Sequence, residues 1–327
     1  MTPRLLALID RFRRARVTVI GDLVADEFIY GRLSRVSREA PVLILEYDNT
    51  EIVPGGAGNA ASNVAALGGK VTLVGAVGRD LPGDRLVEAL RQRGVKLDLA
   101  RPKDAATPLK TRILAGGVHS VKQQIVRVDR AGTGIVTRAV TRDVTARAKR
   151  AASRADAIIA SDYGSGLIGA KAISRIRPKK AQLFVDSRYR LLDYRGITAC
   201  TPNESEVEAL LDVRINEDKR ALEQSGRTLL RKTGAEAMLV TRGSRGMTLF
   251  EPKQPTLNIP IFGSDEVADV TGAGDTVIAT FALARAAGGT FEEAARLANY
   301  AGGLVVMKRG TATITADELR AAVRGHA

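Results

Sequence analysis

Asp269-Val270-Thr271-Gly272-Ala273-Gly274-Asp275-Thr276 is followed at once by an apolar, Ala-rich run over residues 277–287. A Gly-rich turn, a helix start and a carboxylate therefore fall on adjacent residues. The first four N–H groups of a helix have no internal partner and lie at the positive end of its dipole. Such an end holds an anion, phosphate above all. A carboxylate at that junction ordinarily caps the helix. If a phosphate takes the N–H groups instead, Asp275 is left to accept a proton from whatever attacks that phosphate. The stretch reads as a phosphoryl-transfer site.

Outward from this turn, β-branched runs alternate with helical patterns along the chain. Residues 17–20 lead into Gly21-Asp22, and residues 71–74 into Gly75 and a helical pattern over 83–93. Residues 157–160 lead into Ser161-Asp162-Tyr163-Gly164, residues 183–185 into Asp186-Ser187, and residues 238–240 into Thr241-Arg242-Gly243. Apolar strands closing on polar or Gly residues, with helices between, predict an α/β fold with a mostly parallel sheet covered on both faces. Ligands in such folds gather at the C-terminal ends of the strands, where Asp22, Asp162, Asp186 and Thr241 fall. Two regions, about 28–48 and 109–129, break the rhythm with alternating segments and predict a small antiparallel sheet projecting as a lid. No Ser- or Pro-rich linker, repeat or low-complexity tract divides the chain, so one domain over 1–327 is expected. The cluster Arg177-Pro178-Lys179-Lys180 reads as a solvated loop end.

The composition narrows the classes. With 327 residues, 45% of them hydrophobic, the chain can bury a full core. Its apolar runs are too short to cross a membrane, and the N-terminus lacks the apolar segment and cleavage site of a signal peptide. The single Cys200 excludes a disulfide framework and fits a reducing cytosol. His119 and His326 are the only histidines, so no His/Cys metal cluster is expected. A net charge of +14 suggests nucleic acid or phosphorylated small molecules as partners, although the arginines are scattered and not run together. Aromatics at 4% with no Trp are poor material for base stacking, which sets nucleic acid aside.

Gly55-Gly56-Ala57-Gly58-Asn59 opens a helical pattern over 60–67. A dinucleotide fingerprint would need a core strand before it and an acidic residue ending the next strand. The preceding segment instead ends in Pro54, and the next strand ends in Gly75. The turn serves either close helix packing or a polyhydroxylated ligand against bare backbone, with Asn59 offering its amide. Asp22 and Asp26, just past the first strand, are either caps or acceptors for vicinal hydroxyls. In Thr201-Pro202-Asn203-Glu204-Ser205-Glu206, Asn203 and Glu206 have capping-box spacing. Near a triphosphate the same pair could organise magnesium and its waters, since that ion takes few protein ligands. Thr241-Arg242-Gly243-Ser244-Arg245-Gly246 is a hairpin loop or a ligand-lining one. Neither a Walker A motif nor an HRD/DFG set is present.

Together these pieces resemble the ribokinase-like (PfkB) carbohydrate kinases over almost the whole chain. One family signature looks like residues 55–59 through Val74-Gly75-Ala76-Val77-Gly78-Arg79-Asp80, and the other like residues 269–276. Within the family the match is closest to the heptose 7-phosphate kinases of ADP-heptose synthesis. It rests on residues 31–42, Gln123-Gln124 with Arg127 and Asp129, Asp162-Tyr163-Gly164, and residues 308–313. Arg38 stands where that pattern has proline, Ser165 where it has lysine, and Ala57-Gly58 where it has Ala-Ala. The nucleotidyltransferase domain that many heptose kinases carry is expected to be missing, because the chain ends soon after its last helix.

The resemblance implies a ribokinase-like three-layer α/β/α fold with a β-sheet lid. It makes Asp275 the general base and the Gly272, Ala273 and Gly274 N–H groups the anion hole. Asn203 and Glu206 would serve magnesium and phosphate, with Asp269 a further, water-mediated metal contact. Thr241, Gly243, Gly246 and the segment from Asn299 to Gly303 would line the nucleotide. Asp22, Asp26, Gly55, Gly56 and Asn59 would hold the sugar, reached from the lid by Gln124 and Arg127. Arg35, Arg188 and Lys122 are candidates for the substrate's own phosphate. The expectation is a cytoplasmic ATP- and Mg²⁺-dependent kinase acting on the anomeric hydroxyl of D-glycero-D-manno-heptose 7-phosphate, binding neither nucleic acid nor membrane. It would dimerise through the edges of its lid sheet. A fructokinase- or ribokinase-like enzyme and a non-catalytic sugar-binding regulator are the competing readings.

Overall fold

The structure, a computed structural model, describes residues 1–116, 122–263, 269–308 and 310–325. His119, His326 and Arg309 of the heptose-kinase-like segment lie outside the described residues. In chain order the first strands are β1 (Arg16–Gly21), β2 (Leu23–Val36), β3 (Leu43–Gly56), β4 (Lys70–Ala76), β5 (Lys96–Ala100), β6 (Leu109–Gly116) and β7 (Gln123–Arg130). The rest are β8 (Ala157–Asp162), β9 (Gln182–Ser187), β10 (Ala199–Cys200), β11 (Ala237–Thr241), β12 (Met247–Phe250) and β13 (Leu257–Ile259). The helices are α1 (Thr2–Arg11), α2 (Ala57–Ala66), α3 (Leu81–Gln92), α4 (Arg138–Ala152) and α5 (Ala170–Ile176). They continue with α6 (Glu204–Leu211), α7 (Lys219–Thr233), α8 (Ala273–Ala286), α9 (Phe291–Val306) and α10 (Ala316–Gly325).

The main sheet has nine strands in the order β13-β12-β11-β10-β9-β8-β1-β4-β5. From β11 to β5 every pairing is parallel, and only β12 and β13 join antiparallel at one edge. Every residue of β8, and all of β1 after Arg16, is buried. Such continuous burial is what helices on both faces require. One core cluster packs α1, α2, α3, α8, α9 and α10 on one face. The other packs α4, α5, α6 and α7 on the opposite face. The expected three-layer α/β/α arrangement is therefore present. Helix α8 is buried from Asp275 to Ala284, so its sequence carries no polar stripe. Its small residues let α2 and α9 lie close on either side, and Phe281 packs edge-on against Phe184 of β9 at 5.9 Å.

The lid is a four-stranded sheet in the order β3-β2-β6-β7. Its outer pairings, β2 with β3 and β6 with β7, are antiparallel as expected, but the central pairing of β2 with β6 is parallel. Both central strands leave the same end of the main sheet, β2 directly after β1 and β6 after β5, so they run outward side by side. The sheet also reaches further into the body than the predicted bounds. Strand β2 already begins at Leu23 and β3 ends only at Gly56, so Asp26, Gly55 and Gly56 belong to lid strands. The inner half of β2 is buried and its outer half exposed, while β7 is exposed along its whole length.

Replacing Phe281 with Ala should cost about 3–5 kcal/mol, the range for truncating a fully buried aromatic. Urea unfolding monitored by circular dichroism measures it. A loss below about 1 kcal/mol would show that α8 is not anchored by this ring.

Candidate active site

Two helix starts meet at the C-terminal end of the main sheet. Gly56 caps α2 with φ of +57°, and the Ala57 N–H behind it donates to the Asp22 carbonyl at 2.9 Å. Gly272 caps α8 with φ of +78° and makes no side-chain cap. Asn59, fully buried in the first turn of α2, donates its amide to Asp275 Oδ2 at 2.8 Å and to the Gly272 carbonyl at 3.3 Å. A Cβ on Gly272 would collide with that same amide nitrogen, and its positive φ disfavours an L side chain as well. Asp275 is the third residue of α8 and is only 4% exposed, yet it does not cap the helix. Its other oxygen, Oδ1, accepts from the Tyr163 hydroxyl at 3.2 Å. Burial raises its pKa to about 7 against the opposing effect of these two hydrogen bonds.

The turn ahead of α8 presents open donors. The Ala273 N–H is taken by the Val270 carbonyl at 3.2 Å, whereas the N–H groups of Gly272, Gly274 and Asp275 meet no acceptor among the described residues. The open donors of the turn are therefore Gly272, Gly274 and Asp275, with Ala273 turned to a structural bond. Asp269 accepts from Thr271 N at 2.8 Å and from Gly310 N at 3.1 Å, which ties the turn to the segment after α9.

Asp22 lies between β1 and β2, where it accepts from Tyr163 N at 2.9 Å, Ser165 N at 3.2 Å and the Ser165 hydroxyl. Its carboxylate thus fixes the loop after β8, and burial raises its pKa despite those bonds. Asp26, on β2, makes a 2.5 Å ion pair with Arg112 of β6, both side chains almost wholly buried. The remaining oxygen of Asp26 lies where a Cβ on Gly55 would be, so that position must stay glycine. Asn203 and Glu206 form the expected capping box at the start of α6, with bonds of 2.8 and 2.9 Å. Asp186, at the end of β9, has its pKa pushed well up by burial and then by the charges of Asp275, Glu206 and Asp162.

The residues expected to line the nucleotide gather around β11 and α9. Thr241 ends β11 and pairs with Asn203 across an isolated bridge. Gly243 opens the following turn toward unfilled space, whereas Gly246 and Gly303 lie tight against the backbone of Ile259 and Phe262. Asn299 donates to the Pro260 carbonyl at 2.9 Å and borders a cavity of about 60 Å³ with Ile261, Phe262 and Tyr300.

A cavity of about 720 Å³ lies between the lid and the strand ends, lined in part by Asp22, Lys110, Arg127, Tyr163 and Arg188. Of the three cations expected to meet a substrate phosphate, Arg188 alone lines it. Lys122 pairs with Asp48, and Arg35 is exposed on the outer half of β2. Arg127 reaches the cavity bonded to Asp129 at 2.7 Å, while Gln124 stands exposed on the edge strand β7. Sequence reasoning missed Lys110, Arg112 and the hydroxyl of Tyr163. A signal existed for the first two: they alternate around Thr111 on a period-2 strand, which puts both cations on one face.

With this geometry in view, comparison with known proteins is decisive. Residues 14–318 match the pfkB family carbohydrate kinase description. The chain belongs to the pfkB family of carbohydrate kinases. The kinase is 40% identical over 319 residues to the bifunctional protein HldE of Coxiella burnetii, covering 96% of this chain and 65% of the relative. It is 38% identical over 321 residues to the bifunctional protein HldE of Vibrio vulnificus, covering 97% and 65%. The chain thus spans about two thirds, 65%, of the length of these curated relatives. Phosphofructokinase-2 from Escherichia coli, solved with substrates and products, shares the fold with a TM-score of 0.79 at 18% identity, covering 95% of this chain and 99% of that one. Arabidopsis thaliana ribokinase complexed with ribose and ATP does so with a TM-score of 0.74 at 22% identity, again covering 95% and 99%.

Replacing Arg112 with Ala strands a buried carboxylate and should cost about 3–5 kcal/mol. Denaturant melts of the Arg112→Ala, Asp26→Ala and double variants measure the coupling. Additive single losses would show that the pair is not an energetic unit.

Proposed function

We propose that this chain transfers the γ-phosphoryl group of ATP to the anomeric hydroxyl of D-glycero-D-manno-heptose 7-phosphate, in the cytoplasm. One observation carries the phosphoryl-transfer part of the reading. A buried carboxylate, Asp275, sits beside the unpaired N–H groups of Gly272 and Gly274 at a helix start. Those donors suit the spread negative charge of a loose phosphoryl transition state, which needs positioning and electrostatics more than covalent chemistry. Asp275 takes the proton of the attacking hydroxyl, and a pKa near working pH suits a general base. The sugar lies on Asp22, Asp26 and the Gly55-Gly56 backbone, beside Asn59, whose amide is held by Asp275 and Gly272. Its own phosphate meets the cations of the cavity wall, Lys110, Arg127 and Arg188, which supports a phosphorylated substrate.

The residues also suit a magnesium nucleotide. Among the described residues no three acidic or imidazole groups converge as a ready metal cage. Asp186 and Glu206 nevertheless lie close enough for the charge of one to raise the pKa of the other. A magnesium ion takes one or two carboxylates and completes its shell with water and phosphate oxygens. Glu206 and Asp186 would hold it on the side of Asn203, and Asp269 keeps the turn beside it in place. Bound there, it neutralises charge on the transferring phosphate.

We also propose that two copies pair through the lid. The edge strand β7 exposes Ile125, Val126 and Val128, and the β2–β3 hairpin at the other side of the sheet exposes Leu33, Val36, Leu43 and Tyr47. An apolar, unpaired edge of this kind invites another strand. Light scattering should give the dimer mass, with Val126→Lys/Val128→Lys shifting it toward monomer. A monomer for the unaltered chain would end this proposal.

Asp275→Asn should leave ATP binding near normal and lower kcat by about 10²–10⁴. Wild-type kcat in that variant would sink the assignment. Because Asp275 acts as a carboxylate, kcat/KM should climb as pH rises through about 7 and level off above it. A profile flat down to pH ~5 would contradict a buried base. ADP release with sugars carrying and lacking a phosphate tests the acceptor. Preference for unphosphorylated sugars would turn the reading to a fructokinase- or ribokinase-like enzyme, and no turnover on any of them to a sugar-binding regulator.

A further inference from the structure

Tyr163 is the first residue beyond β8. Its half-buried ring lies on the wall of the 720 Å³ cavity while its hydroxyl reaches out of that cavity to Asp275. Its backbone N–H is held by Asp22, which also takes both donors of Ser165. Between them Gly164 bends the chain with φ of +85°, and its N–H is fixed by Asp162 at 2.9 Å. Asp162 in turn accepts from Ser187 at 3.2 Å and Tyr194 at 3.0 Å. The ring's other neighbours leave it little freedom. The Lys110 ammonium stands 5.8 Å above its centre, and a Cβ on Gly56 would already touch its edge at 3.5 Å. The phenol is thus aimed at the base from a mount built on two carboxylates.

We infer that Tyr163 is a positioning residue for Asp275: its hydroxyl, opposite the Asn59 amide, fixes the carboxylate's orientation and proton affinity. The inference rests on Asp275 acting as the general base. Two donors, one on each oxygen, leave each oxygen a lone pair and prevent rotation about the carboxylate's bond. Each also stabilises the ionised form against the burial that raises its pKa. The charged and titratable groups facing Asp275 come from several elements. They are Asp26 of β2, Lys110 of β6, Tyr163 after β8 and Asp186 of β9, with the neutral Asn59 from α2. The charge of Asp275 holds the phenol's own pKa well above 10, so at working pH the hydroxyl is always a donor and never a rival base. Asp22 thereby acts in two places. It faces the cavity where the sugar is proposed to lie, and through the Tyr163 backbone it sets the height of the hydroxyl on the base.

The test is the pH dependence of kcat for Tyr163→Phe, which keeps the ring and removes only the donor. The midpoint of the acid limb should move up by about one pH unit, because the ionised form loses a hydrogen bond. From a midpoint near 7, that lowers kcat about fivefold at pH 7 and leaves it within about twofold at pH 9. The KM for ATP should stay unchanged. A profile superimposable on the wild type, or a loss equal at every pH, would overturn the inference. If Tyr163→Phe fails to fold, 3-fluorotyrosine incorporated at all six tyrosines keeps the shape and makes the phenol a stronger donor. The midpoint should then move down, and an unmoved midpoint overturns the inference equally. Asp275→Asn tells the two readings apart. Full activity there removes the general base itself, whereas an inactive Asp275→Asn beside an unshifted Tyr163→Phe removes only the role of Tyr163.

Discussion

The hydrogen bond from Asn59 to Asp275 joins two segments that lie 216 residues apart in the chain. It is buried, it bridges the first turns of α2 and α8, and the same amide also bonds the carbonyl of the residue capping α8. A buried amide facing a buried carboxylate is costly to lose, since either group left unpaired pays its desolvation in full. The two Gly-rich stretches are therefore bound to each other, and their glycines are what allow it. Gly272 leaves room for the Asn59 nitrogen, and Gly56 lets β3 turn into α2 against the Asp22 carbonyl. Each stretch looks like a ligand-binding turn by itself. Together they are the joint that holds the starts of α2 and α8 against each other.

Charge at this joint runs opposite to the charge of the chain. The net charge of +14 is spread over arginines and lysines along the surface, many of them paired with one or two acidic neighbours. Asp22, Asp26, Asp162, Asp186, Glu206 and Asp275 converge at the strand ends instead. Lys110, Arg112, Arg127 and Arg188 reach the region from the lid and the β9 loop. The carboxylates are kept apart by assigning most of them a fixed donor set. Asp22 and Asp162 hold the loop after β8, and Asp26 is neutralised by Arg112. That leaves Asp275 and Asp186 as the members whose proton affinity burial raises most sharply.

The parallel sheet was legible because its strands are buried on both faces and so read as unbroken apolar runs ending in Gly or Asp. The lid was legible only as an interruption of that rhythm. The parallel pairing of β2 with β6 was not, since the direction of a strand depends on where it leaves the body and not on its own residues. The helix starts at Asn203 and Gly272 followed from local capping chemistry, which acts within one turn. Roles created by contacts between distant segments were hidden. The amide of Asn59 was read as a ligand group, yet it is spent on Asp275. Asp26 was read as a sugar acceptor, yet half of it is spent on Arg112. Ala273 was counted among the open donors, yet Val270 takes its N–H, because the turn closes one residue earlier than the glycine spacing suggests.

The separation of these roles also bears on how an anion could approach so acidic an end of the molecule. Bulk positive charge is of little use there, since exposed charges are screened within about 10 Å at moderate salt. The unpaired N–H groups of Gly272, Gly274 and Asp275 are not screened in that way, because they are fixed dipoles at the head of a buried helix. They attract a phosphate only over the last few ångströms, and the neighbouring carboxylates repel it over the same range. A doubly charged cation held by such carboxylates would reverse the second effect and leave the first intact. The acidic groups are thus not an obstacle that the N–H cradle overcomes. On the proposed function they would favour a phosphate that arrives with its cation, while burial keeps Asp275 basic enough to take a proton.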